Sequence, residues 1–146
     1  MSKLGRYSAD RKKVEFLTAA KVVEVAECGT LFMVDMAAGA ANIDLPHPTN
    51  AGKGWWCKFI VNGATCGENA TIRVLDAAGS AAVGSLIAGL EVVSADAAGE
   101  QNDDADTVQI AAAAIKGTQV EFVCDGAAWY AIGHSGADAH IVVAAD

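Results

Sequence analysis

Past residue 13, short runs of apolar and β-branched residues alternate with polar turn signals along the whole chain, the pattern of an all-β sandwich or barrel. The runs predict strands at Val14–Thr18, Lys21–Glu27, Thr30–Met36, Asn42–Leu45, Trp55–Asn62 and Thr71–Leu75. Further strands are predicted at Glu91–Ser94, Thr107–Ala111, Thr118–Cys124, Trp129–Gly133 and His140–Ala144. Within them polar and apolar positions interleave: Thr71 and Arg73 with Ile72 and Val74, Gln119 and Glu121 with Val120 and Phe122. A period of two implies one packed and one wet face. Asn62-Gly63 and Asp125-Gly126 accept the positive φ of tight hairpins. Asp76–Gly79 and Asp96–Gly99 have the Asp-first, Gly-last form of a type I turn. Pro46 and Pro48 make Leu45–Asn50 an extended loop, and Glu100–Asp106 reads as an acidic loop. Ala77–Leu90 is open between a short helix and a loop, with glycines at 79, 84 and 89 arguing for a loop. The expectation is an antiparallel β-sandwich or barrel, jelly-roll-like, of about 8–11 short strands behind an extended N-terminal arm.

Composition refines this picture. The 146 residues suit one domain, and 53 % hydrophobic against 19 % charged excludes a mainly disordered chain. The apolar share is dominated by small side chains, 31 alanines and 15 glycines. The longest uncharged stretch, Ala77–Leu90, has 14 residues, too few to span a membrane. The first residues lack an apolar segment of the secretory kind.

Charge divides the chain in two. Residues 1–13 carry Lys3, Arg6, Arg11, Lys12 and Lys13 against Asp10, a net of +4. The remaining residues, 14–146, carry five basic and 17 acidic groups, a net of −12 that completes the overall −8. A body this acidic disfavours nucleic acid, whose binding rests on phosphate neutralisation. The division therefore predicts a basic arm, residues 1–13, on a single β domain, residues 14–146. The arm is either an attachment segment that orders on a partner or a frayed, solubilising terminus.

Motifs for chemistry are missing. Gly133-His134-Ser135-Gly136 lacks the spacing of a nucleophile elbow, and Gly52-Lys53-Gly54 is no phosphate loop. His134, Asp138 and His140, or Asp103, Asp104 and Asp106, lack the spacing of established metal sites. No catalytic, cofactor-binding or metal-binding residue is expected, and no enzyme. The cysteines Cys28, Cys57, Cys66 and Cys124 have no CxxC pair; Cys28 and Cys57 read as small core residues, and a Cys57–Cys66 bridge stays open. Adjacent aromatics occur twice, Trp55-Trp56 and Trp129-Tyr130. Strand alternation sends one of each pair inward and leaves the other to stack on a sugar, fill a subunit interface or cover an edge.

The order of motifs resembles the small virion proteins that decorate or cement capsids of tailed bacteriophages, and related head-fibre modules. The resemblance runs from the arm Leu4–Lys13 through Glu27–Phe32 and Ile43–Pro46. It continues with Ala51–Trp55 leading into Phe59–Val61, then Ala70–Ile72, and ends with Val120–Gly133. Ala127-Ala128 stands where the Asp-Gly turn of such proteins usually carries Thr then Asn. The resemblance implies a non-enzymatic virion protein on the outer capsid surface, assembled in the host bacterial cytoplasm. It would clamp neighbouring subunits of the major capsid protein as a homotrimer, with no nucleic-acid or membrane partner and no cofactor. Lys3, Arg6, Tyr7, Arg11, Lys12 and Lys13 would be its capsid-contact residues. Trp55, Trp56, Trp129 and Tyr130 would be subunit-interface or stacking aromatics. The alternative is a carbohydrate- or receptor-binding module of a head or tail fibre.

Overall fold

The structure, a computed structural model, describes residues 11–94 and 99–145. Two sheets pack face to face. The larger runs, in spatial order, β1 (Lys13–Leu17), β3 (Thr30–Val34), β5 (Trp56–Val61), β11 (Gln119–Cys124), β12 (Trp129–Ser135), β8 (Ile87–Val93) and β9 (Gln101–Ala105). The smaller runs β13 (Ile141–Ala144), β10 (Thr107–Ile110), β6 (Ala70–Leu75), β4 (Ala41–Leu45) and β2 (Lys21–Val22), with β7 (Ala82–Val83) paired to β6. This is the all-β sandwich that the alternation predicts, and neither sheet closes into a barrel.

The pairing is mixed rather than purely antiparallel. From β1 to β6 the chain changes sheet at every strand. A strand reached after a visit to the opposite sheet starts from the same end as its predecessor, so the two run parallel. Hence β1, β3 and β5 are mutually parallel, and so are β2, β4 and β6. The β12–β8 pair is parallel for a related reason, with β9, β10 and β11 between them in sequence. Asn62-Gly63 consequently closes no hairpin, since β5 and β6 lie in different sheets. Asp125-Gly126 does close one, between β11 and β12. There the Asp125 carboxylate accepts the Ala127 and Ala128 N–H groups, and Gly126 takes φ +96°, where a side chain would be strained.

Several element boundaries differ from the sequence expectation. Of Lys21–Glu27 only two residues form a strand. Val25–Glu27 is a 3₁₀ turn, started by Glu27 accepting the Glu24 N–H at 2.7 Å. The loop after Leu45 contains a single α-helical turn, Pro48–Ala51, with proline at its start and His47 as cap. Glu100–Asp106 is not a loop. Despite its Asn and Asp residues, Gln101–Ala105 pairs antiparallel with β8 across a bulge and forms the edge of the larger sheet. Strand β8 begins at Ile87, earlier than its predicted start at Glu91, and the rest of Ala77–Leu90 is turn and loop around β7. Asp76–Gly79 turns as predicted, Gly79 N–H donating to Asp76 O at 2.9 Å. Of the second such turn, Asp96–Ala98 lie outside the described residues.

The core is organised by one row of rings crossing four strands of the larger sheet. Phe32 stacks on Phe59 with centroids 5.1 Å apart; Phe59 meets Phe122 edge-on at 5.8 Å, and Phe122 meets Trp129 at 6.4 Å. Trp55 closes the row against Trp129 at 5.4 Å. The opposing layer is aliphatic, with Ile43, Leu45, Ile72, Val74, Val108, Ile110 and Ile141 buried. Both indoles reach a partner: Trp55 Nε1 donates to Val25 O at 2.7 Å and Trp129 Nε1 to Pro46 O at 3.1 Å. Beyond the row the sandwich thins. A Cβ on Gly89 would come within 2.5 Å of Val143 Cγ1, and one on Gly133 within 2.6 Å of Ile141 Cδ1. Only glycine lets β13 approach β8 and β12 this closely.

The cysteines are all free thiols, so Cys57 and Cys66 are not bridged. Cys57 is a core residue as expected, and burial pushes its thiol well above the usual range. Cys28 is exposed, contrary to expectation, because the chain is there leaving the 3₁₀ turn for β3.

Because Phe59 touches both Phe32 and Phe122, Phe59→Ala interrupts the row at its centre. We expect a loss of about 3–5 kcal/mol in urea unfolding, a large part of the stability of a domain this size. A loss below about 1 kcal/mol would show that the row does not organise the core.

Candidate interaction surface

The two outer faces of the sandwich differ in chemistry. The smaller sheet presents Asn42, Asp44, Thr71, Arg73 and Gln109, tied together by the Arg73–Asp44 ion pair at 2.8 Å and a Gln109–Thr71 hydrogen bond at 3.1 Å. The larger sheet presents apolar side chains in registered rows. Phe16, Met33 and Ile60 lie side by side on β1, β3 and β5, and Ile132 and Leu90 on β12 and β8. Phe16 is 68 % exposed, and Val14, Tyr130 and Ile132 are each 49 % exposed. Between these apolar regions lie two polar pairs, Lys58 opposite Glu121 and Gln119 opposite His134.

Alternation divides the aromatic pairs as the sequence predicts, one residue inward and one outward. Trp55 and Trp129 are buried, which removes both from any stacking or interface role. Trp56 and Tyr130 are on the outer face, each paired in register with Val123. The Tyr130 hydroxyl donates to Asp125 at 3.1 Å, which raises its pKa. The Asp125 carboxyl is held below its ordinary range by the Ala128 and Ala127 N–H groups.

Of the expected contact residues in the arm, Lys3, Arg6 and Tyr7 lie outside the described residues. Arg11 and Lys12 are exposed, and Lys13 begins β1 rather than ending the arm. Lys12 and Trp56 both line a groove of about 340 Å³ on the outer face, together with Gly54, Lys58, Glu121 and Val123. The fold thus joins a basic residue at the root of the arm to one of the outward aromatics, across three strands. Spacing along the chain gives no hint of this, because β1 reaches β5 only through β3.

The root of the arm is fixed by a charged triad. Lys21 Nζ lies 3.0 Å from Glu15 on β1 and 2.7 Å from Glu27 in the 3₁₀ turn. Its hydrogen bond to Glu27 raises the Lys21 pKa above the ordinary 10.5. Burial pushes the Glu27 carboxyl upward, but hydrogen bonds from Lys21 and the Glu24 N–H outweigh it and leave the pKa below the ordinary 4.5.

One polar residue of the core was not anticipated. Glu91 on β8 is fully buried, with Oε1 accepting the Ser135 hydroxyl at 2.7 Å and the Ile141 N–H at 3.2 Å. It links β8, β12 and β13 where the sandwich is thinnest. Its other oxygen, Oε2, is buried with no hydrogen-bond partner among the described residues. The signal was in the strand pattern, since Glu91 shares the inward parity of Val93. Among the described residues, no three His, Cys, Asp or Glu side chains are placed to hold a metal ion. Neither the protein-family comparison nor the comparison with curated proteins finds a match to this chain.

Two outcomes follow from these groups. Glu27 binds a proton more weakly folded than unfolded, so its stabilisation is complete above pH 4.5 and is lost as pH falls through its folded value. Lys21 stabilises below pH 10.5 and ceases to do so as pH rises through its raised value. Thermal melts across pH should decline on both flanks, and Glu27→Gln should flatten each decline relative to the parent. For the core carboxylate, Glu91→Ala leaves the Ile141 N–H without an acceptor, while the Ser135 hydroxyl keeps Ala137 O at 2.9 Å, and should cost about 1–3 kcal/mol in denaturant unfolding. Glu91→Gln keeps the Oε1 acceptor and should cost clearly less. Equal losses would mean that packing alone, and not these hydrogen bonds, holds β13 in place.

Proposed function

We propose that the protein is a structural virion component that decorates and cements the outer surface of a phage capsid, stabilising contacts between major capsid subunits. The observation that carries this reading is the asymmetry of the sandwich. One outer face is mostly polar, with Val22 its one strongly exposed apolar residue; the other presents two exposed apolar clusters, Phe16–Met33–Ile60 and Ile132–Leu90, of the kind that marks an interaction site. A cement protein needs a folded body with one face out and one face down. It also needs a segment that reaches onto neighbouring subunits. The basic residues 1–13 supply such a segment for acidic groups of the major capsid protein, through charge-assisted hydrogen bonds. A homotrimer around a local symmetry axis, on the virion surface and without enzymatic activity, completes the proposal.

A second reading, a carbohydrate- or receptor-binding module of a fibre, draws support from the outward Trp56 between Lys12 and Lys58. An indole with charged neighbours, Lys12, Lys58 and Glu121, suits a sugar that stacks on the ring and hydrogen-bonds at its rim.

Binding to shells stripped of the protein separates the two readings. For the cement role, deleting residues 1–10 or introducing Phe16→Asp should weaken shell binding at least about tenfold, as loss of a few ion pairs or of one apolar anchor does. Trp56→Ala should leave binding to a glycan panel at background. The copy number per virion should scale with the major capsid subunit. A fibre-like copy number, or glycan binding abolished by Trp56→Ala, would select the second reading.

A further inference from the structure

We infer that copies of this chain associate head to tail through the two unpaired edges of the larger sheet, β1 of one copy against β9 of the next. Among the described residues, no strand covers the outer side of either edge. Exposed edges of this kind are templates for pairing, which proteins commonly blunt with charge. Charge of one sign at both edges would repel a second copy. Here the signs are opposite. The β1 edge carries Arg11, Lys12 and Lys13, with Lys58 two strands further in. The β9 edge carries Asp103 and Asp104, both exposed, in a stretch without any Lys or Arg between Arg73 and Lys116. Each edge thus repels its own kind and attracts the other, which selects a heterologous contact over a two-fold one.

Strand direction agrees. Three antiparallel ladders separate β1 from β9, those of β5 with β11, β11 with β12, and β8 with β9. An odd number leaves β9 running opposite to β1. Copies turned about an axis along the strands therefore meet as an antiparallel pair, in which directly opposed residues share a face. Placing Lys12 against Asp104 puts both on the outer face: Lys12 shares the outward side of Val14 and Phe16, and Asp104 precedes the inward Ala105. The same contact gives Phe16, 68 % exposed on a strand with a neighbour on one side only, a second flank. The contact sets the polar strand β9 between the Phe16 edge of one copy and the Leu90–Ile132 row of the next. This contact stands or falls separately from the capsid reading, since it concerns the isolated protein.

The test is sedimentation of the purified full chain over a concentration series. The parent should self-associate, and more weakly as salt rises from about 0.05 to about 0.5 M. Lys12→Glu with Lys13→Glu, and separately Asp103→Lys with Asp104→Lys, should each raise the dissociation constant about a hundredfold, as like charges now oppose. The chain with all four substitutions should return to within about threefold of the parent, and mixing the two double variants should restore association. That recovery also shows that neither pair acts by unfolding the chain. Deleting residues 1–10 should leave self-association unchanged, so a failure of capsid binding and a failure of this contact are read separately. A parent that stays monomeric, an edge reversal without effect, or a fourfold variant no better than either double variant would overturn the inference.

Discussion

The row of rings from Phe32 to Trp129 is the constraint on which the other layers of the structure depend. Its members come from β3, β5, β11 and β12, which lie far apart in sequence, and each ring fits only in one register. A slip of one residue in any of these strands would turn its ring to the outer face and bring a polar or half-exposed residue inward. Rings in offset or edge-on contact bury about 150–250 Å² each. Fixing the row therefore fixes the register of the larger sheet, and with it which side chains face outward.

Much of this architecture was legible in the sequence, and the part that was not has a common physical origin. Alternation along single strands is local, so the all-β class, the strand positions and the inward–outward division of Trp55-Trp56 and Trp129-Tyr130 could be read directly. Which strands become neighbours is decided by contacts distant along the chain. The sequence expectation was an antiparallel sandwich; the chain instead crosses between sheets from β1 to β6, and parallel pairing follows. The same reason hid the groove that Lys12 and Trp56 share. The strand at Gln101–Ala105 was hidden for a different reason: its Asn and Asp residues argue against a strand, and the ladder with β8 overrides that preference.

The abundance of alanine and glycine has a positional meaning. Bulky rings fill the sandwich under β3, β5, β11 and β12, whereas Gly89, Ala105, Ala131 and Gly133 occupy inward positions at the β8–β9 end. The layers approach there, and Glu91 can reach across to β13. A carboxylate held between two layers is costly to bury unless it accepts hydrogen bonds, and two donors converge on its Oε1. Small residues and one buried acid are thus two parts of the same solution at the thin end.

The charge division of the chain gains a spatial meaning in the same way. As a sequence, a basic start and an acidic remainder describe only an arm and a body. In the fold, the last basic residues of the arm lie along one edge of the larger sheet and the densest acidic run forms the opposite edge. Opposite charge across the whole width of a sheet gives the body a direction that net charge alone does not. An apolar face bounded by one basic and one acidic edge is matched, side by side, by another copy of itself turned about an axis along the strands. Symmetric self-repulsion at each edge works against two-fold pairing, so a sheet charged in this way favours rings or rows over dimers.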